Sequence, residues 1–188
     1  MELMDAIKGR RSIRRYRPDP VPDGLVREVL EAGRWAPSAK NGQQWRFTVL
    51  TGESKARFAE MFRAELDKFV EKFGREASGS ALSSCRIMEE APVNVIVWNA
   101  GEHGWTTEEH SVAAAIQNVL LRAHDLGLGS LWIGDVFYAY EAIREHFGKT
   151  WRLSGAIALG YTEDEGRIPQ KLPLAQIVEF LQQEWINA

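Results

Sequence analysis

Apolar residues recur first at helical spacing. Leu3, Met4 and Ile7 predict a short opening helix, with Gly9 placed to end it. Pro18, Pro20 and Pro22 then hold off regular structure until a second helix opens near Pro22 or Asp23. Its stripe is Leu25, Val26, Val29, Leu30 and Gly33, and it stops before Pro37. Trp45–Thr51 reads as a strand. Gly52 starts a helix with Phe58, Met61, Phe62, Leu66, Phe69 and Phe73 along one face.

Residues 74–90 lose this regularity. Gly74, Gly79 and four serines dilute the pattern, so a loop or mobile helical excursion is expected. Pro92 precedes an apolar strand, Val93–Trp98, and Asn99–Thr107 is a second irregular loop. The longest helix follows, about Glu108–Leu126, striped by Val112, Ile116, Val119, Leu120, Ala123 and Leu126. Strand Ser130–Ile133, a helix around Tyr140–Phe147 and strand Ser154–Gly160 come next. Pro173 opens a last helix faced by Leu174, Ile177, Val178, Leu181 and Trp185. Helices and strands alternate without a βαβ rhythm, so the fold class is α+β. At 188 residues without an internal repeat, one domain spanning 1–188 is expected.

Charge changes the picture locally. The chain holds 23 Lys+Arg against 26 Asp+Glu, net −3, yet Gly9–Tyr16 (GRRSIRRY) packs Arg10, Arg11, Arg14 and Arg15 around Ser12. A local cluster in an acidic chain suits a compact anion such as phosphate, which guanidinium forks bind bidentately. A solvated basic surface is the plainer alternative. The overall balance argues against nucleic acid. No apolar run is long enough to cross a bilayer, and the charges of MELMDAIKGRR follow its apolar residues, the wrong order for a signal peptide. A single cysteine, Cys85, excludes an internal disulfide and suits a reducing cytoplasm. The four histidines have no ligand-like spacing, so no metal is expected. Seven tryptophans are many, and a flat ring site would use some of them.

Three further stretches carry candidate chemistry. Pro37–Gln43 gathers Ser38, Asn41 and Gln43, amides and a hydroxyl suited to a heterocycle edge; a self-capping turn would look the same. Gly127–Gly134 (GLGSLWIG) has the glycines of a phosphate loop but not its lysine or its strand-then-helix order. It reads either as a helix end entering a buried strand or as backbone for a ligand to lie against. Gly160–Lys171 carries Arg167 and Lys171 beyond a strand, and a solvated charged loop is the alternative.

Together, RRSIRRY, RWAPSAKNGQQWRF, AAAIQNVLLRAHDLGLGSLWIG and IALGYTEDEGRIPQKLPL, in that order, resemble the nitroreductase family of FMN-dependent oxidoreductases. The resemblance spans about Met4 to Leu174. It implies a central, mostly antiparallel sheet flanked by helices and an intertwined homodimer with two flavin sites at the interface. It places Arg10, Arg11, Ser12 and Arg14 at the FMN phosphate and ribityl chain, with Arg167 and Lys171 completing the phosphate site. Pro37, Ser38, Ala39, Asn41 and Gln43 would come from the partner chain. Leu131, Trp132, Ile133 and Gly134 would line the ring, with the Gly134 N–H near the reactive nitrogen. The implied activity is electron transfer from NAD(P)H through the flavin to a nitroaromatic or quinone. The residues around Arg75–Glu90 and Asn99–Thr107 would shape the acceptor pocket. A flavin storage or sensing protein, a dehalogenase and a flavin-fragmenting enzyme are the rivals. Two departures stand out: Gln44 replaces the family's usual proline, and any C-terminal arm is reduced to Ala175–Ala188. No acid–base side chain is required, because the flavin supplies the chemistry.

Overall fold

The computed structural model describes residues 1–180. Six α-helices and four strands alternate: α1 (Leu3–Gly9), α2 (Asp23–Arg34), β1 (Trp45–Leu50), α3 (Gly52–Phe73), α4 (Ala81–Glu90), β2 (Val93–Asn99), α5 (Thr106–Asp125), β3 (Gly129–Ile133), α6 (Tyr140–His146) and β4 (Arg152–Gly160). The strands form one sheet in the order β1-β2-β4-β3, with every pairing antiparallel. The fold is thus α+β around an antiparallel sheet.

Both faces of the sheet are covered, which is why β2 is buried along its whole length and apolar at every position but Asn94 and Asn99. On one face α3, α4 and α6 bury Phe58, Phe62, Leu66, Met88 and Ile143 against Ile96, Trp98, Leu131 and Ile133. On the other, α2 and α5 bury Val26, Val29, Val112, Ile116 and Val119 against Val95, Val97, Ile157 and Leu159. Alternate residues of one strand thus serve two cores. Gly33 lets α2 approach α5: a Cβ there would sit 2.8 Å from Val119 Cγ2.

Three expectations gain detail here. Of the two forms expected for residues 74–90, the helical one forms. After a short turn at Glu76–Ser78 they form α4, with Ala81, Cys85, Ile87 and Met88 buried; Ser78 and Ser84 are buried with them, and Ser80 and Ser83 are exposed. Burial pushes the Cys85 thiol up to about 12, so the cysteine is an inert core group. The expected opening helix forms as α1, with only Ala6 buried and Leu3, Met4 and Ile7 facing outward. Beyond Pro173 the described chain makes a single 3₁₀ turn, Leu174–Gln176, then runs without helix to Phe180; Leu181 and Trp185 lie outside the described residues.

Candidate active site

The arginine segment rides the β3 edge of the sheet. Ser12 bridges Ser130 in parallel, and the Ile13 N–H donates to the Ser130 carbonyl at 3.0 Å. Two glycines allow the contact. A Cβ at Gly129 would lie 2.8 Å from Thr162 Cγ2 and 2.9 Å from Ile13 Cγ2, and one at Gly166, where φ is +67°, would lie 2.6 Å from Arg11 Cβ. Gly129, one candidate for backbone against a ligand, thus serves chain packing. From the far side the 161–166 turn grips the same segment. Thr162 Oγ1 donates to the Arg15 carbonyl at 2.7 Å, and the Arg17 N–H donates to the Tyr161 carbonyl at 2.8 Å. Asp164 accepts from the Gly166 N–H at 3.0 Å and pairs with Arg15 at 3.5 Å; these donors, the backbone ones first, hold its carboxyl below the usual range.

This clamp presents a cavity of about 340 Å³ lined by Arg10, Arg11, Ser12, Arg14 and Arg167. Among the described residues the buried Arg10 Nε has no hydrogen-bond partner, a costly state that an anion would relieve. Arg14 holds the Ser12 carbonyl at 3.1 Å. Arg11 already uses one nitrogen on the carbonyls of Lys8, Gly9 and Arg10, closing the end of α1. Pro169 and Gln170 line the cavity in place of Lys171, which is exposed nearby; sequence reasoning had no signal for those two. The residues present fit a phosphate: converging guanidinium groups, a hydroxyl and one orphaned donor.

Gly134 follows β3, four residues beyond Ser130, roughly 13 Å along the strand. Among the described residues no acceptor takes its N–H, and a Cβ placed on it would meet nothing within 4 Å. Leu131 and Ile133 point into the core, whereas Trp132 is 41% exposed on the opposite face. A ligand reaching from the arginines to Gly134 would meet a free donor beside open space.

The amide loop lies elsewhere. Pro37–Gln43 leads into β1, the opposite edge strand, and Trp45 pairs through Asn99 to Arg152, the far end of β4 from Leu159, the partner of Ser130. Three strand spacings and seven residues of strand put the two groups roughly 25 Å apart at diagonal corners. Within one chain, therefore, Ser38, Ala39, Asn41 and Gln43 do not join the arginine cavity.

The loop is nonetheless built for a purpose. Lys40, Asn41 and Gln43 all have positive φ (53°, 52° and 46°), a conformation that costs non-glycine residues energy and clusters at ligand sites. Ser38 Oγ accepts the Gln43 N–H at 3.0 Å, and the Ala39 N–H donates to Ser111 on α5 at 3.1 Å. Gln44 is buried, its carbonyl accepting from the Ala100 N–H at 2.8 Å. Lys40 sits 4.8 Å above Trp105, whose ring stacks on His103 at 4.2 Å. The 99–107 loop is fixed from below by Arg152, which joins Glu108 at 2.6 Å, Glu109 at 3.2 Å and the Gly101 carbonyl at 3.0 Å. Although burial opposes it, the Arg152 guanidinium keeps the Glu108 carboxyl below its usual range. Among the described residues no group of His, Cys, Asp and Glu is gathered for a metal ion.

The family model described as the nitroreductase family matches residues 7–161. A protein of Methanothermobacter thermautotrophicus, provisionally named an NADH dehydrogenase/NAD(P)H nitroreductase, is 33% identical over 138 residues; the match covers 71% of this chain and 61% of that protein's length. A relative of the same provisional name from Archaeoglobus fulgidus is 30% identical over 171 residues, 87% of each chain. The crystal structure of a provisionally assigned nitroreductase from Desulfovibrio desulfuricans, in complex with FMN, is 29% identical, with a TM-score of 0.77 over 97% of this chain and 98% of its own. The match begins just before the arginine segment and ends just after β4, so it takes in both corners of the sheet: this chain belongs to the nitroreductase family.

Proposed function

We propose that this chain binds FMN and passes electrons from NAD(P)H to a small acceptor, a nitroaromatic or a quinone, in the cytoplasm. The observation that carries this reading is the arginine cavity, where the buried Arg10 Nε has no acceptor among the described residues. Arg10, Arg14 and Arg167 take the phosphate, and the Ser12 hydroxyl reaches the adjoining chain. The Gly134 N–H donates to the polar edge of the ring. When bound, FMN accepts a hydride from the nicotinamide and returns electrons to the acceptor; the protein holds, orients and tunes it. The FMN-bound relative from Desulfovibrio desulfuricans supports the choice of cofactor.

The working unit in this reading is a homodimer. The amide loop cannot reach the arginine cavity of its own chain, so a second copy supplies Pro37–Gln43. The outward apolar residues fit a buried interface: Leu3 and Met4 on α1, Trp35 at 73% exposure, and Leu172, Leu174 and Ile177 near the end of the described chain. No helix among the described residues is long and apolar enough to cross a membrane.

The test is direct. Flavin released by heat is identified by chromatography, and the yellow protein is mixed with NADH or NADPH under nitrogen. FMN in the extract and bleaching on mixing are expected. Donor and acceptor then share the open side of Gly134, and double-reciprocal plots at several acceptor concentrations run parallel. FAD, or no flavin after reconstitution, overturns the reading. FMN without bleaching leaves a flavin-storage or sensing protein.

A further inference from the structure

α4, the segment whose sequence reads as a loop, is fastened to the turn that carries Gly134. The Ser80 Oγ donates to Asp135 Oδ2 at 2.7 Å, and the Ser84 Oγ donates to the same oxygen at 2.5 Å. Ser84 is buried and Asp135 is half-buried. The Tyr138 hydroxyl adds a third tie, to the Ala77 carbonyl at 3.2 Å, and the Tyr138 ring meets Phe69 of α3 edge-on at 4.9 Å. Two hydroxyls aimed at one carboxylate oxygen give strong, charge-assisted bonds. No lysine or arginine is paired with Asp135 among the described residues. Its carboxyl is therefore held by hydroxyl groups and not by a cation. It stands immediately after Gly134, whose N–H finds no acceptor among the described residues and whose Cβ position is open.

We propose that Asp135, held by Ser80 and Ser84 beside the free Gly134 N–H, is a positioning residue that sets the reduction potential of the flavin site. The inference rests on the FMN reading above. A fixed carboxylate near a ring that gains electrons opposes the gain, through a field that water screens poorly in a partly buried site. The two hydroxyls limit that opposition and fix where the charge lies. α4 is then the arm that couples the excursion at 74–90 to the redox step, which gives its serines a role beyond core packing.

The experiment uses full-length protein reconstituted with FMN. Midpoint potentials are measured against a reference dye for wild type, Asp135→Asn and Ser80→Ala/Ser84→Ala, and melting curves are recorded for the same proteins without flavin. Asn keeps an oxygen to accept both hydroxyls, so Asp135→Asn removes charge with little change of shape. It is expected to shift the equilibrium constant for two-electron reduction at least tenfold towards reduced flavin, about 30 mV for a two-electron couple. The double serine variant, which leaves the charge undamped, is expected to shift it several-fold the other way. Unchanged potentials in both variants, whatever the melting curves do, overturn the proposal, as do shifts of the same sign. If the serine pair fails to fold, Asp135→Asn decides alone. Failure of wild type to bind FMN is a different result: it sinks the cofactor reading itself.

Discussion

Ser12 and Ser130 form an isolated parallel bridge, and through it the arginine segment is tied to the edge of the sheet. The arginines are therefore not equivalent. Arg10 and Arg14 face the cavity, while Arg15 is 82% exposed in its side chain and leans on Asp164. Hydrogen bonds to charged groups are worth about 1.5–3 kcal/mol each. Arg10→Ala or Arg14→Ala should weaken FMN binding by roughly tenfold or more, since about 1.4 kcal/mol is tenfold. Arg15→Ala should change it far less. Titration of apoprotein with FMN, followed by flavin fluorescence, checks this; equal losses at all three would mean a diffuse basic field.

Asp164 closes the same clamp and gives it a pH dependence. The Gly166 N–H, then Arg15, hold its carboxyl below the usual range. A carboxyl lowered in the fold stabilises it above the unfolded value of about 3.9, and that stability is lost as pH falls through the folded value. The melting temperature of the apoprotein should therefore hold down to about pH 4 and fall below it. Asp164→Asn should lower the melting temperature at pH 7 and flatten that acid limb. An unchanged limb would show that another group governs it.

The sheet and most helices were legible in the sequence because strands buried on both faces read as short apolar runs, as β2 and β4 do, while the helices keep a 3.6-residue period. α4 was not legible. Its core residues, Cys85, Ile87 and Met88, are too few, and serines bound to Asp135 look the same in sequence as serines in a loop. α1 was legible as a helix, but not the direction of its apolar stripe, which within one chain faces outward. The site was legible only as motifs. No spacing rule reveals that Arg10 and Asn41 stand at diagonal corners, because that follows from the strand order β1-β2-β4-β3.

That diagonal gives a test of the two-chain site. Light scattering should report about twice the 21.3 kDa chain mass. A sharper result comes from mixing Arg10→Ala chains with Asn41→Ala chains. If each site takes arginines from one copy and amides from the other, the mixed dimer has one doubly damaged site and one intact site. It should then bind one FMN at wild-type affinity. A site contained in a single chain would leave no intact site in the mixture.

Strain in the amide loop has its own signature. Gln43 adopts φ 46°, which costs a side-chain-bearing residue roughly 1–2 kcal/mol and glycine nothing. Glycine gives back about 0.5–1 kcal/mol in backbone entropy. Gln43→Gly should therefore raise the stability of the apoprotein by up to about 1 kcal/mol, or about 2–4 °C in Tm for a chain of this size. FMN affinity should fall in the same variant. A lower Tm would mean that the Gln43 side chain holds the loop.

Gly134 offers the cleanest separation of fold from function. Its φ of −87° is open to any residue, and a Cβ there meets nothing within 4 Å of its own chain. Stability therefore does not demand glycine at this position, unlike Gly129, where Thr162 and Ile13 leave no room. If the space beside the Gly134 N–H belongs to the flavin ring, a β-branched side chain will crowd that ring and little else. Gly134→Val should leave the melting curve of the apoprotein within about 1 °C of wild type, as is usual for a substitution that meets no neighbour. It should also slow flavin reduction, per bound FMN, by tenfold or more. Gly129→Val is the control: it should lower the melting temperature by several degrees. Stopped-flow reduction under nitrogen, normalised to bound flavin, reads the first effect, and calorimetry reads the second. An unchanged reduction rate in Gly134→Val would place the ring elsewhere, because no fold defect would be left to hide the result.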